Sequence, residues 1–155
     1  MKYLKLLSIF FLILLLNSCG YKKLNSENFN DFKINKLEKN GERKITYRLT
    51  NNIEIYSSKE SKFTYDIKIN LTSKKETKIK NTAGKATRYT IRLRADTLIT
   101  NMKTKTDYKK TFNSINDYDV GSTHSDTLNN EKSTIESNIN YISNEIVKYL
   151  KLLNI

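Results

Sequence analysis

Residues 63–72, FTYDIKINLT, and residues 88–99, RYTIRLRADTLI, decide the fold. In the first run Phe63, Tyr65, Ile67, Ile69 and Leu71 alternate with Thr64, Asp66, Lys68, Asn70 and Thr72. In the second, Tyr89, Ile91, Leu93, Ala95, Thr97 and Ile99 alternate with Arg88, Thr90, Arg92, Arg94 and Asp96. A period of two sustained this long requires strands with one buried face. Asn81-Thr82-Ala83-Gly84-Lys85 between them has turn chemistry, so the two runs form a long antiparallel hairpin, apolar on one side and basic on the other.

Working outward, a turn near 101–106 leads to a weaker strand over 108–115, with Tyr108 and Phe112 pointing inward. Upstream, Phe32 and Ile34 alternate with polar residues in a short strand over 31–37, and Asn40-Gly41 breaks the pattern. From 42 to 57, Ile45, Leu49, Ile53 and Tyr56 fall at spacings of four, four and three, which places them on one helical face. The C-terminal segment repeats the helical pattern at Ile135, Ile139, Ile142, Ile146, Tyr149 or Leu150, and Leu153. Candidate N-caps precede it in Gly121-Ser122-Thr123-His124-Ser125-Asp126. Neither helix can bury its stripe alone, and the sheet cannot cover its own apolar face. The expected fold is therefore α+β: a two-layer sandwich with two helices packed on one face of a mostly antiparallel four-stranded sheet, ordered strand-helix-strand-strand-strand-helix.

The first nineteen residues determine the compartment. Lys2 and Lys5 precede an eleven-residue apolar run, LLSIFFLILLL at 6–16. A spanning helix needs about 20 apolar residues, so this run reads as the core of a signal peptide. It ends in Leu16-Asn17-Ser18-Cys19-Gly20, which resembles a bacterial lipobox, and Cys19 is the sole cysteine of the chain. The expectation is a signal peptide over 1–18, removed, then a lipidated tether over 19–30 and a single α+β domain over 31–155. Acyl chains on Cys19, at about 0.8 kcal/mol per buried CH₂, would anchor it. With Gly20 rather than Asp after the cysteine, the expected site is the outer membrane, periplasmic side.

The 155 residues carry 28 Lys and Arg against 16 Asp and Glu. Removing 1–18 takes Lys2 and Lys5 and no acid, leaving 26 bases against the same 16 acids. An exported lipoprotein meets no nucleic acid, so the expected anions are phosphorylated glycolipid, anionic lipid or cell-wall polymer. If the alternation holds, Lys68 and Lys74 project to the same side as Arg88, Arg92 and Arg94, with Lys78, Lys80 and Lys85 extending the patch toward the turn. Arginine grips phosphate as a bidentate fork, which makes this basic face the candidate binding surface.

Catalytic chemistry is not expected. One Cys and one His cannot supply four ligands to a structural zinc, and no metal or other cofactor beyond the acyl chains is implied. His124 lies in a polar stretch, where a solvated or helix-capping role outweighs a catalytic one. Ser122, Ser125 and Asp126 flank it too closely in sequence for a triad. The four glycines form no phosphate-binding loop.

The order of pieces resembles the LPS-assembly lipoprotein (LptE) family. That pattern begins with a lipidated Cys-Gly-aromatic, here Cys19-Gly20-Tyr21, then a short strand (34–37) and a helix (43–55). A strand opening as Ala86-Thr87-Arg88-Tyr89 runs through Ala95-Asp96-Thr97-Leu98, followed by Asp117-Tyr118-Asp119-Val120, a Ser-rich loop and a long final helix. The resemblance implies a non-enzymatic partner of an LptD-type outer-membrane β-barrel, acting as its plug, assisting its assembly and helping to place lipopolysaccharide in the outer leaflet. It implies basic residues near the turn before the Tyr strand, met by Lys78, Lys80 and Lys85. It also implies some in the loop before the last helix, where 121–130 has none and Lys132 is nearest. The alternative function is a free periplasm-facing lipoprotein that binds anionic lipid or cell-wall polymer through its basic sheet face. A lipid-anchored hydrolase, the third reading, lacks a recognisable site.

Overall fold

The computed structural model describes residues 31–154. The expected signal peptide over 1–18 and the expected lipidated tether over 19–30, Cys19 included, lie outside the described residues. Strand β1 (Lys33–Gly41) is followed by helix α1 (Arg43–Glu54), strands β2 (Thr64–Lys80), β3 (Ala86–Asn101) and β4 (Asp107–Asp119), and helix α2 (His124–Leu152). The sheet order is β1-β2-β3-β4, with β1 parallel to β2 and the other pairs antiparallel. This is the α+β architecture that periodicity implies. The parallel pair follows from α1 acting as the crossover between β1 and β2, a connection that parallel strands require.

Alternation sets the faces. Tyr65, Ile67, Ile69 and Leu71 of β2 and Ile91, Leu93, Ala95 and Ile99 of β3 are buried, and Phe112 and Tyr118 of β4 join them. The helices cover this side with Ile45, Leu49 and Ile53 of α1 and Ile139, Ile142, Ile146, Val147 and Leu150 of α2, all in one cluster with Phe32. The helices run in the same direction, tied by Arg48 to Glu136 (2.6 Å) and by Asn52 to Asn140 (2.9 Å).

The boundaries differ from the sequence reading at several points, each with a physical cause. β2 continues to Lys80 because its pairing with β3 persists after hydropathy stops alternating; the core-side positions there are Ser73, Lys75 and Thr77. β4 likewise runs on to Asp119. Asn40 and Gly41 remain in β1, opposite Asn70 and Leu71, and the chain turns only after them. Tyr56 lies beyond the end of α1 and is half-exposed, so the helical stripe closes at Ile53. A register shift between Ile34 and Lys36 sets Asn35 aside, and its amide donates to Asp66 (2.8 Å).

α2 starts where the candidate caps lie. The Thr123 hydroxyl accepts from the Asp126 amide (3.1 Å), and Asp126 Oδ2 accepts from the Thr123 amide (3.1 Å), a complete capping box.

Candidate functional site

The solvent-facing side of the sheet is built by the even-numbered positions of β2 and β3. Lys74 pairs with Arg92, Thr72 with Arg94, and Lys68 with Leu98. Lys68, Lys74, Arg88, Arg92 and Arg94 therefore share one face, as alternation requires. Their neighbours are acids. Glu76 accepts from both Lys74 (2.7 Å) and Arg92 (3.1 Å). Asp119 takes Arg88 in a two-point contact (2.6 and 3.2 Å), and Asp96 takes Arg94 (2.9 Å) and the Thr111 hydroxyl (2.6 Å). Lys78 pairs with Asp117, which also accepts from Thr90 (2.6 Å), and Lys68 lies 3.7 Å from Glu38. Lys80 and Lys85 alone of the eight candidate cations form no ion pair among the described residues.

The face is thus a lattice of both signs. The acids were readable: Lys36/Glu38, Lys74/Glu76 and Arg94/Asp96 are opposite charges two residues apart in a strand, which places each pair side by side. Counting bases alone overlooks them.

Pairing shifts the carboxylates. Hydrogen bonds from Arg94 and Thr111 hold Asp96 below its ordinary pKa; Lys78 and Thr90 do the same for Asp117, Arg88 for Asp119, and Lys74 and Arg92 for Glu76. Because the folded values lie below the unfolded ones, this stabilisation is present above the ordinary carboxylate range and lost as pH falls through the depressed values. The thermal midpoint is expected to hold near neutrality and to fall below about pH 4. A midpoint flat through that acid range would show that the pairs contribute nothing net, as isolated surface pairs can.

A second cluster sits on the core side at the far end of the hairpin. The Lys75 ammonium lies 4.7 Å from the Tyr89 ring centroid and 5.5 Å from that of Tyr118; the two rings stack 5.5 Å apart. Glu131 of α2 accepts from Lys75 (2.5 Å) and from the Tyr118 hydroxyl (2.8 Å). Burial alone would disfavour both charges, but their mutual hydrogen bonding wins: Lys75 is raised and Glu131 lowered. The cluster closes the end of the sandwich with a satisfied ion pair where the apolar strand positions run out. Lys75 carries a signal in the sequence, a lysine on the apolar parity of β2.

His124 is exposed at the start of α2, and Ser122 and Asp126 are occupied by the cap. Among the described residues no three His, Cys, Asp or Glu side chains gather to hold a metal, and no helix is long and apolar enough to cross a membrane.

No family model and no curated protein matches the sequence. Solved structures do match the fold. Rare lipoprotein B from Shewanella oneidensis aligns with a TM-score of 0.59 at 9% identity, over 76% of this chain and 92% of that one. The uncharacterized lipoprotein B of Nitrosomonas europaea gives 0.57 at 8% identity, over 79% and 83%. A protein of Caulobacter crescentus described as a lipoprotein gives 0.54 at 14% identity, over 76% and 88%. At such identities the likeness shows a shared fold, and all three neighbours carry the description lipoprotein.

Proposed function

We propose that the chain is a non-enzymatic, lipid-anchored lipoprotein of the outer membrane, held on its periplasmic side by acyl chains on Cys19. Its domain seats in the lumen of an LptD-type β-barrel as a plug, assists the assembly of that barrel, and helps place lipopolysaccharide in the outer leaflet. The fold shared with three bacterial lipoproteins supports the class, together with the lipobox-like Leu16-Asn17-Ser18-Cys19.

One observation carries the plug. The outer face of the sheet carries mutually paired charges among Thr and Asn residues, with Leu98, Ile115 and, opposite Arg88 near the turn, Ile79 as isolated apolar residues. Such a face suits a water-filled lumen with polar walls and is ill suited to lipid or to a dry interface. It also favours the plug over the free anion binder, because six of the eight cations already hold carboxylates that a polymer would have to displace.

The test is co-purification. A C-terminally tagged chain extracted from outer membrane in mild detergent is expected to bring down a large barrel in one-to-one ratio, and Cys19→Ala is expected to lower that yield severely. Recovery without a barrel, under conditions that keep other barrel complexes intact, would defeat the reading. If Arg92→Gln with Arg94→Gln then weakened binding to anionic vesicles, the free binder would take its place.

A further inference from the structure

β1 and β4 are the outer strands of the sheet, and their free edges differ. Along β1 the register slips between Ile34 and Lys36, the strand carries Lys33, Lys36 and Lys39, and the Ile34 amide donates to the Ser57 hydroxyl (2.9 Å). Irregular register and lysines are devices that keep an edge from pairing again. β4 has neither along its middle. It runs from Asp107 to Asp119 with no shift in its pairing to β3, no proline or glycine, and no charged residue from Thr111 to Asn116. Val120 continues the ladder by donating its amide to the Thr87 carbonyl (3.0 Å), so the even-numbered residues of β4 turn their N–H and C=O toward β3. The odd-numbered ones, Lys109, Thr111, Asn113, Ile115 and Asp117, turn theirs outward. Among the described residues no hydrogen bond reaches those groups; only at Asp119 does an outward carbonyl find a partner, the Asn130 side-chain amide (3.0 Å).

Charge is ordered along the same strand. Lys109 and Lys110 precede the uncharged stretch, and Asp117 and Asp119 follow it. A second copy of β4 laid alongside in parallel and in register would set base on base and acid on acid. Laid antiparallel and centred at Ser114, it sets Lys109 opposite Asp119 and Asn113 opposite Ile115, with no like charges facing. Asp119 already holds Arg88, but a carboxylate has room for a second cation, as Glu76 shows with Lys74 and Arg92. Asn113 is exposed on the outer face, and Ile115 beside it is a large apolar side chain left in solvent. The edge is therefore complementary to itself.

We infer that β4 pairs with β4 of a second copy of this chain, antiparallel about a two-fold axis at Ser114, which joins the two sheets into one. The outward N–H and C=O groups of the odd-numbered residues then exchange hydrogen bonds across the axis, and Ile115 is covered by Asn113 of the second copy. Such a pairing is isologous and closes on itself, and the guarded edge of β1 does not extend it. The inference concerns the chain outside any barrel and does not rest on the plug reading.

The full-length chain in nonionic micelles, followed by sedimentation across protein concentration, is expected to pass from monomer to dimer and no further. Hydrogen exchange is expected to slow with concentration at the amides of Thr111, Asn113, Ile115 and Asp117, while the even-numbered amides between them stay as they are. Asn113→Pro removes an outward N–H that bonds nothing within the chain, so it should weaken the dimer at least about tenfold. Its thermal midpoint, read where both proteins are monomeric, should stay close to that of the unchanged chain. Asn113→Lys, which guards the edge without altering the backbone, should weaken the dimer similarly. Register is read by oxidising a mixture of Asn113→Cys and Ile115→Cys, which should join the two positions in preference to either variant with itself. A monomer throughout, a dimer that both Asn113 substitutions leave intact, or cross-linking no greater in the mixture than in either variant alone would each overturn the inference. A free chain that stays monomeric yet is recovered with a barrel in one-to-one ratio would sink it and leave the plug reading standing.

Discussion

Gly41→Ala is expected to lower stability by about 3–5 kcal/mol, the sum of a strained backbone and an overlap that cannot relax. Gly41 has φ +129°, outside what an L side chain adopts readily. A Cβ built there would overlap the carbonyl oxygen of Leu71 and come within 3.1 Å of both the Leu71 carbonyl carbon and the Thr46 hydroxyl. Leu71 is its register partner in β2, so the obstacle is backbone. Glu42 follows immediately, and its carbonyl accepts from the Thr46 amide (2.9 Å) and hydroxyl (2.8 Å) to start α1. An alanine would have to push the end of β1 off β2 or undo that first turn. Gly84, with φ +75° and no atom within 4 Å of a built Cβ, isolates the strain alone. Gly84→Ala is expected to cost about 1 kcal/mol. Urea midpoints with an unchanged slope would measure both variants. Equal losses at the two positions would mean that the Leu71 contact is not what constrains the corner.

How much of this was legible follows from where hydropathy carries information. The hairpin was legible because Tyr65 to Leu71 and Tyr89 to Ile99 alternate against a single buried face. The helices were legible through Ile45-Leu49-Ile53 and through Ile139-Ile142-Ile146. The reach of β2 and β4 was not, because backbone pairing continues past Leu71 with mostly polar residues on both faces, and past Ile115 with Tyr118 as a single core residue among polar ones. Strand direction leaves no mark in a single strand, and the parallel β1–β2 pair becomes readable only when α1 is recognised as the segment between them. Gly41 signalled a break, yet it marks a close approach of backbones within the strand. On the candidate surface the parity of Arg88, Arg92 and Arg94 was plain, while the balance of charge was not. Asp117 and Asp119 arrive from β4, whose register with β3 no local pattern specifies.

Asn138 is the clearest case of a residue whose importance no period reveals, and its replacement has the second of the two largest expected effects. It sits on the core face of α2 between Ile135 and Ile142 and is fully buried. Its side-chain oxygen accepts from the Ser114 hydroxyl (2.7 Å) and the Asn116 amide (2.7 Å), and its own amide donates to the Ile91 carbonyl (3.2 Å). One side chain thus pins the helix to β3 and β4 together, at a fixed height along both. Asn138→Ala is expected to cost about 3 kcal/mol: a small cavity, plus a buried hydroxyl and carbonyl left without that partner. Asn138→Leu fills the space and is expected to be nearly as harmful, since filling does not satisfy Ser114. The discriminating variant is Asn138→Leu with Ser114→Ala, which removes donor and acceptor together. It should recover at least about 1 kcal/mol beyond additivity, because the Ser114 hydroxyl is no longer there to be stranded. Additive losses in that cycle would mean that packing alone seats α2. Coupled losses, with amide exchange in α2 accelerated in Asn138→Leu ahead of global unfolding, would show that the network selects one position of the helix among those its isoleucines could occupy. An Ile-rich stripe tolerates sliding by a turn; three hydrogen bonds to two strands do not.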